Sequence, residues 1–321
     1  MTATAYSTSG DAAAAARRRE GLVLALVTAF ISGVAVFVNG YGVRRFPDAT
    51  LYTTAKNVVT AFVLLGVAAL AQARRRRASV DRHGDRPTRR SLGGLILVAT
   101  IGGSVPFVLF FEGLSRASST DAAVIHKTLV VWVALLAIPL LGERLSTIHV
   151  GAIALLVAGQ AALAGGLPVL ASDAGEAMIL AATLLWAGET ILAKKLLGSF
   201  APSTVGLARM GLGSVALVAW TVATGKLSLL ADVGAVGWMF AALTGMLLAG
   251  YVACWFAALC RAPAIDVTAL LVVGAVVTTV LNAVFEGAPL APDAVGVALI
   301  AAGGLLVVLA TRRRVGTEVA A

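Results

Sequence analysis

The chain alternates between long apolar runs and short polar segments. Four of the runs, at 21–42, 92–111, 233–260 and 267–285, contain no Asp, Glu, Lys or Arg. A helix needs about 20 residues to cross the roughly 30 Å of hydrocarbon in a bilayer, so each of these runs predicts a membrane-spanning helix. Polar clusters divide the whole chain into ten predicted spans, at about 21–42, 50–73, 92–113, 119–141, 147–169, 176–196, 203–224, 234–259, 265–285 and 293–311.

Composition supports this interpretation of the pattern. Apolar residues make up 59% of the 321 residues and charged residues only 13%, about half of the roughly 25% that is usual in soluble domains. We therefore predict an all-α integral membrane protein that crosses the bilayer many times. Residues 1–20 are expected to form a short disordered cytoplasmic tail without a cleavable signal, and residues 312–321 a second cytoplasmic tail.

Positive charges are distributed unevenly between the two ends of the predicted helices. One side receives eighteen Lys and Arg residues, eight of them in the basic loop 74–91, and the other side receives four. Because Lys and Arg accumulate on the cytoplasmic side of membrane proteins, we expect a cell-membrane protein with both termini in the cytoplasm. This bias explains the net charge of +9 without a nucleic acid partner, and the arginines at 74–77 suit contact with anionic membrane lipid.

The chain also matches itself with a shift of 145 residues. The segment "FEGLSRASSTDAAV" (111–124) aligns with "FAALCRAPAIDVTA" (256–269), and the same register pairs Gly142 with Gly287 and Gly159 with Gly304. Each copy holds five predicted spans, an odd number, so the second copy must be inverted in the membrane relative to the first. Inverted repeats are typical of transporters that work by alternating access.

Two segments resemble a known family. The segment "LLWAGETILAKKLLGSFAPSTVGLARM" (184–210) resembles the opening of an EamA domain, with Trp186, Lys194, Pro202 and Arg209 at the usual spacing, and "LLGERLSTIHVGAIALLVAG" (140–159) resembles its close. Resemblance to EamA permeases of the drug/metabolite transporter superfamily implies ten membrane helices as two inverted five-helix repeats. The repeats would span 21–169 and 176–311, and the implied activity is small-metabolite transport, often efflux.

The two copies depart from the family pattern at three places. The first copy has "ISG" ending at Gly33 near the position of the tryptophan, and Lys56 where arginine is usual. The second copy closes with "FEGAPLAP", so Glu286 is displaced by two from the expected Gly-Glu pair. These departures leave the predicted fold unchanged and bear on the substrate.

Glu189 is the deepest acidic residue in the predicted bundle. It falls thirteen residues into the sixth span, where a charged side chain costs about 2.5–3.5 kcal/mol on insertion scales. We interpret Glu189 as a proton carrier, a ligand for a substrate amine or the partner of a buried cation. The alternative is a neutral, hydrogen-bonded glutamic acid within the bundle.

Glu112, His126 and Lys127 form a second candidate group for the pathway. Glu112 ends the third span, and His126 and Lys127 lie about two turns past the hairpin that follows. A Glu112–Lys127 pair would offset the cost of burying the lysine, and His126 could relay a proton near neutral pH. Since adjacent helical residues point about 100° apart, the sequence leaves open which of the two faces the cavity.

Three further residues are candidates for the pathway, each with a structural alternative. Lys56 and Arg209 lie about two turns inside their spans, on opposite membrane faces. Either could contact a substrate or ion, or extend to the headgroups by its long stem. Trp186 could line the cavity or simply pack in the bundle.

Three acidic residues near helix ends are predicted to be structural. Asp121 and Asp266 occupy equivalent positions in the repeat, where spans four and nine begin. A carboxylate there can satisfy the free N–H groups of the first helical turn. Glu143, in "LGERLS", is interfacial and is also expected to have a structural role.

These features predict a secondary transporter of a small polar metabolite, which could be an exporter. The chain has no Walker A motif, so a gradient must supply the energy. Proton coupling and facilitated diffusion are both compatible with the sequence. A mixture of acidic and basic side chains suits an amino acid or a related compound. The predicted partners are a small-molecule substrate and membrane lipid, and the protein is expected to be a monomer or a homodimer.

Two other classes of function are alternatives. An intramembrane enzyme would need a catalytic arrangement, yet the sequence has no HExxH, no GxSxG and no cluster of acidic metal ligands. A membrane scaffold would gain nothing obvious from inverted repeats. We therefore predict no catalytic residue, no metal site and no cofactor.

Overall fold

A computed structural model describes residues 3–77, 89–114, 116–117, 119–166, 173–289 and 293–320. Among these residues, nine helices are long and apolar enough to cross a membrane, and a tenth is shorter and apolar. The ten predicted membrane helices are thus confirmed. We label them α1 (Ala3–Val43), α2 (Ala49–Arg77), α3 (Arg89–Leu114), α4 (119–141), α5 (Thr147–Leu163), α6 (Ala174–Leu196), α7 (Pro202–Ala223), α8 (Ala235–Arg261), α9 (Ala264–Glu286) and α10 (Ala294–Ala320).

The N-terminal end of the chain differs from the prediction. Helix α1 begins at Ala3, so most of the segment predicted as a disordered tail, 1–20, is helical. Helix α10 continues to Ala320, and the prediction for 312–321 specified no conformation. Five consecutive alanines at 12–16 are the strongest helix formers. Because the membrane-spanning part of α1 already supplies a helical nucleus, extending it outward avoids the cost of nucleation.

The inverted repeat is visible in where the helices break and end. Helix α4 is interrupted at Thr128 and helix α9 at 272–273, positions that the shift of 145 residues superimposes. Helix α4 ends at Gly142 with φ of 67° and helix α9 at Gly287 with φ of 68°. Both glycines adopt the left-handed conformation that favours glycine, so each repeat breaks and caps its fourth helix in the same way.

Helix packing follows the same symmetry. Helix α1 packs on α8 and α9, and its counterpart α6 packs on α3 and α4. Three helices of the first repeat pack on their own counterparts in the second: α2 on α7, α4 on α9 and α5 on α10. Glycines allow the closest approaches: Gly159 meets Gly296 between α5 and α10, and Gly103 meets Gly213 between α3 and α7. Small residues at crossings are the usual means by which membrane helices pack closely.

The contacts define two ends of the bundle. The Arg18 end carries Arg18, the α4–α5 and α6–α7 connections and the start of α9. The Lys226 end carries the α1–α2 connection, the C-terminus of α3 and a short 3-10 helix, Lys226–Asp232, between α7 and α8.

Candidate functional site

A buried ion pair joins helices α6 and α7 inside the second repeat. Glu189 Oε1 lies 3.4 Å from Arg209 Nε, and the two side chains are only 2% and 7% exposed. Glu189 precedes the end of α6 by seven residues and Arg209 follows the start of α7 by seven. Both therefore lie about 10 Å from the α6–α7 connection, which is why these two helices bring the charges together.

Helix α3 of the other repeat covers the ion pair through a local irregularity. Residues Ala99–Ser104 form a π-helical turn. A Cβ on Gly102 would overlap the Cγ of Glu189 and lie 3.1 Å from Arg209 Nε. A π turn is rare and is often found at functional sites. Gly102 thus lets the backbone of the first repeat touch the charges of the second.

Trp186 and His126 extend the site from the ion pair toward helix α4. Trp186 Nε1 donates a hydrogen bond to the Gly102 carbonyl oxygen at 3.1 Å. The His126 ring lies 4.9 Å from the Trp186 ring and 5.3 Å from the Phe110 ring, centroid to centroid. His126 Nδ1 is buried and has no hydrogen-bond partner among the described residues. His126 therefore faces α3 and α6.

Lys127 points in a different direction from its neighbour. It lines a cavity of about 360 Å³ between helices α4, α5 and α9. The structure therefore separates the two residues: His126 joins the aromatic cluster beside the ion pair, and Lys127 lines this cavity.

Lys56 occupies the position in α2 that corresponds to Arg209 in α7. It is 7% exposed, so it does not extend to the headgroups. Its Nζ donates to Asn39 Oδ1 at 3.3 Å and lies 5.4 Å from the centroids of the Tyr52 and Phe111 rings. Among the described residues no carboxylate pairs with Lys56. Two aromatic faces and an amide stabilise this cation, where the second repeat uses a glutamate.

The predicted Glu112–Lys127 pair is not formed. Glu112 lies 3.4 Å from Lys226 and 3.7 Å from Arg116. Glu112 is two residues from the end of α3, whereas Lys127 lies about 12 Å into α4. The depth difference is too large for the two side chains to span, so Glu112 turns to cations at the surface.

Lys226 also binds Asp48 at the same end of the bundle, with Nζ 2.7 Å from Oδ2. Burial raises the pKa of Asp48, but hydrogen bonds from Lys226 and from the Leu51 N–H outweigh this and hold it below its ordinary value. The hydrogen bond to Asp48 raises the pKa of Lys226. This pair ties the α7–α8 connection of the second repeat to the α1–α2 connection of the first.

The three predicted structural acids differ in their placement. Glu143 accepts hydrogen bonds from the N–H groups of Ala264 and Ile265, at 2.7 and 3.1 Å, and so caps the N-terminus of α9. Asp266 does not cap that helix, whose N-cap residue is Pro263. The Asp121 side chain lies outside the described residues.

Asp266 instead binds three other helices. It pairs with Arg18 of α1 at 3.3 Å and with His149 of α5 at 3.0 Å, and it accepts from Thr311 of α10 at 3.1 Å. The side chain is only 1% exposed. Since Glu143 already occupies the helix terminus, Asp266 is free to serve as the centre of this network.

Sequence reasoning missed several residues of the site. Gly102 was indicated only by the pair "GG" at 102–103, which did not separate a π turn from ordinary helix packing. Phe110 contacts His126, and nothing in the sequence singled it out. Aromatic residues in apolar helices carry no local signal that distinguishes cavity from packing positions.

Comparison with known proteins identifies the family. The EamA-like transporter family matches the chain twice, over residues 19–164 and 173–310, so the chain belongs to this family. One crystal structure superimposes with a TM-score of 0.71 over 91% of this chain and 97% of the other, at 18% sequence identity; at that identity it shows a shared fold alone. No curated protein sequence matches at a significant level.

The chain is therefore a multi-pass membrane transporter of the drug/metabolite transporter superfamily. Its two EamA repeats account for the symmetric packing, and the ion pair lies where helix α3 of one repeat meets α6 and α7 of the other.

Proposed function

We propose that the protein is a secondary transporter that moves a small polar metabolite, an amino acid or a related compound, by alternating access. The observation that carries this proposal is the Glu189–Arg209 pair, which is buried in one repeat and covered by the backbone of the other. Rocking of one five-helix repeat against the other changes the surroundings of this pair.

The chemistry of the pair suits exchange with a charged substrate. A substrate carboxylate entering the site competes with Glu189 for Arg209, and a substrate ammonium group competes with Arg209 for Glu189. Glu189 released from Arg209 has no other cation among the described residues near it, so it would take up a proton rather than remain an isolated buried anion. Proton coupling by Glu189, with His126 as a relay, follows from this competition.

The remaining parts of the proposal concern topology and assembly. The positive-inside bias supports cytoplasmic termini, so the Arg18 end would face the cytoplasm. The repeats would span 21–169 and 176–311, with 74–91 as a basic cytoplasmic loop contacting anionic lipid. The protein would act as a monomer or homodimer, for export or import.

Flux measurements in proteoliposomes test the proposal. Purified protein is reconstituted and given pools of amino acids, organic acids and amines, with and without a pH gradient. We expect gradient-dependent movement of one class, and loss of that movement in Glu189→Gln and Arg209→Gln. Glu20→Gln is the control, because Glu20 is 57% exposed and pairs with Arg261 at the surface.

Two results would overturn the proposal. Unchanged flux in both variants would remove Glu189 and Arg209 from the pathway. Absence of flux for every pool, with folding confirmed by helical circular dichroism and a monodisperse elution profile, would favour an intramembrane enzyme or a scaffold.

A further inference from the structure

The cavity that Lys127 lines has an uneven distribution of polar groups. Helices α4, α5 and α9 line a partly open cavity of about 360 Å³. Trp132 and six aliphatic side chains form most of its wall: Val124, Val130, Val131, Leu156, Val157 and Val272. The polar lining residues are Lys127, Thr128 and Gln160, and no acidic residue is among the described side chains that line the cavity.

Two of the three polar side chains have a hydrogen-bonding group without a partner among the described residues. Thr128 donates to the Ile125 carbonyl oxygen at 2.6 Å and accepts from Trp132 Nε1 at 2.9 Å, so its hydroxyl is satisfied. Gln160 is 8% exposed, and its Nε2 has no partner among the described residues. No hydrogen bond or ion pair within the described part of the chain reaches Lys127 Nζ.

The two free groups lie at the same height in the bundle. Lys127 precedes the end of α4 by fourteen residues and Gln160 follows the start of α5 by thirteen. These helices run antiparallel from the α4–α5 connection, so the two residues lie about 21 and about 20 Å from it. Both groups are hydrogen-bond donors, one of them an ammonium.

A matching ligand has an acceptor head and an apolar body. A carboxylate can accept from both an ammonium and an amide N–H, and the aliphatic wall fits an alkyl or aryl group. We propose that this cavity binds an amphipathic monocarboxylate, with its carboxylate on Lys127 and Gln160. Where this ligand is the transported compound, the inference rests on the proposed function; as a binding site, it does not depend on transport.

Neighbouring charges favour an anion over a zwitterion in this cavity. An ammonium group on the ligand would need a carboxylate, but among the described side chains nearby Glu189 pairs with Arg209, and Glu112 lies with Lys226 at the surface. A neutral alcohol would leave the Lys127 charge without a counter-ion in an apolar wall. A carboxylate supplies that counter-ion.

Calorimetry with probes that share one apolar body tests the proposal. The protein in phosphatidylcholine nanodiscs is titrated with 4-methylpentanoate, 4-methylpentanol, 4-methylpentylamine and leucine. We expect 4-methylpentanoate to bind at least about ten-fold more tightly than the other three, since its carboxylate can accept charge-assisted hydrogen bonds and it adds no ammonium that would need a partner. Equal affinity for all four head groups would overturn the proposal.

Three variants locate the site. Lys127→Gln and Gln160→Leu are each expected to weaken 4-methylpentanoate binding, the lysine variant by about ten-fold or more. Lys195→Gln, at an exposed lysine at the end of α6, should leave the affinity unchanged. If Lys127→Gln fails to fold, Gln160→Leu still decides the question, and wild-type affinity in a folded Lys127→Gln or Gln160→Leu variant would contradict the assignment.

Two further experiments determine whether the ligand comes from the bilayer and whether it is transported. Binding of dodecanoate but not of 4-methylpentanoate would keep the carboxylate site and assign it to a fatty acid from the bilayer. Flux of 4-methylpentanoate that is lost in Lys127→Gln would make the ligand a substrate. If flux of 4-methylpentanoate persists in Lys127→Gln, the protein is a transporter but this cavity is not the route. If 4-methylpentanoate binds without any flux, the binding site stands and monocarboxylates are not transported.

Discussion

At the scale of single residues, the Glu189–Arg209 pair places two opposite charges inside the bundle. Removing one partner from a buried pair leaves an uncompensated charge and costs about 3–5 kcal/mol. We therefore expect Arg209→Met to lower the free energy of unfolding by that amount, measured by denaturant unfolding in detergent. The double variant Glu189→Gln/Arg209→Met should recover most of the loss, because neither charge remains.

The double variant also separates stability from transport. If the pair served packing alone, restoring stability would restore flux as well. We expect flux to stay absent in the stable double variant. A double variant as unstable as Arg209→Met would contradict the interpretation of the pair as two charges that mainly neutralise each other.

Asp48 and Lys226 give a pH dependence of known sign. Asp48 has a pKa below its ordinary value in the folded protein, so its contribution is present above the unfolded pKa and is lost as pH falls through the folded pKa. Lys226 has a raised pKa, so its contribution is lost only in strong alkali. The two side chains are 23% and 27% exposed, which limits the pair to about 0.2–1 kcal/mol.

Measuring the free energy of unfolding of the wild type and of Asp48→Asn from neutral to acid pH tests this pH dependence. The stability difference should be constant near neutral pH and vanish in acid, below the folded pKa of Asp48. A difference that instead grew on acidification would show that Asp48 contributes in its protonated form.

At the scale of helices, the sequence predicted where the helices begin and end, because the length of a hydrophobic run determines this. It predicted little of which side chains face which neighbouring helix, because that depends on how each helix is rotated about its own axis. The ten spans follow from run length, and nearly all observed ends fall within a few residues of the prediction. The facing of His126 and Lys127 depends on how α4 rotates against α3 and α5, and residues 100° apart in an apolar helix carry no signal for that angle. The π turn at Ala99–Ser104 was missed for a related reason: it depends on a contact with α7.

Two glycines of helix α3 give matched tests of that contact. A Cβ on Gly103 would overlap the Arg209 carbonyl oxygen and lie 3.1 Å from Gly213 Cα, whereas a Cβ on Gly93 would have nothing within 4 Å. We expect Gly103→Ala to force α3 away from α7, which lowers the unfolding temperature and the flux. Gly93→Ala should leave flux unchanged and stabilise by about 0.5–1 kcal/mol, because alanine is the better helix former.

A Gly103→Ala variant with wild-type flux would show that the α3–α7 approach does not position Arg209. Equal effects of the two substitutions would show that helix propensity, and not the close approach, decides the outcome.

At the scale of the whole molecule, the two ends of an otherwise symmetric bundle are held differently. At the Arg18 end, Glu143 caps the N-terminus of α9, and Lys194 donates to the Leu259 and Ala262 carbonyl oxygens at the end of α8. The repeat places Ala288 where a counterpart of Glu143 would lie, and Ala288 has no carboxylate. One departure from the family pattern, the displaced Glu286, thus leaves the Lys226 end without this cap.

Glu143 should therefore control access at the Arg18 end, with Cys260 as a natural reporter. Cys260 is partly buried, and its sulfur and carbonyl oxygen contact Arg17. In a Cys254→Ser background, we expect Glu143→Ala to free the start of α9 and raise the rate at which a membrane-impermeant maleimide labels Cys260 from the exposed side. Glu286→Ala is the control, because Glu286 accepts from Tyr41 at the opposite end. If both variants label at the wild-type rate, the cap does not hold this end closed; if both label faster, the two ends are coupled through α9 and Glu143 is not a separate gate.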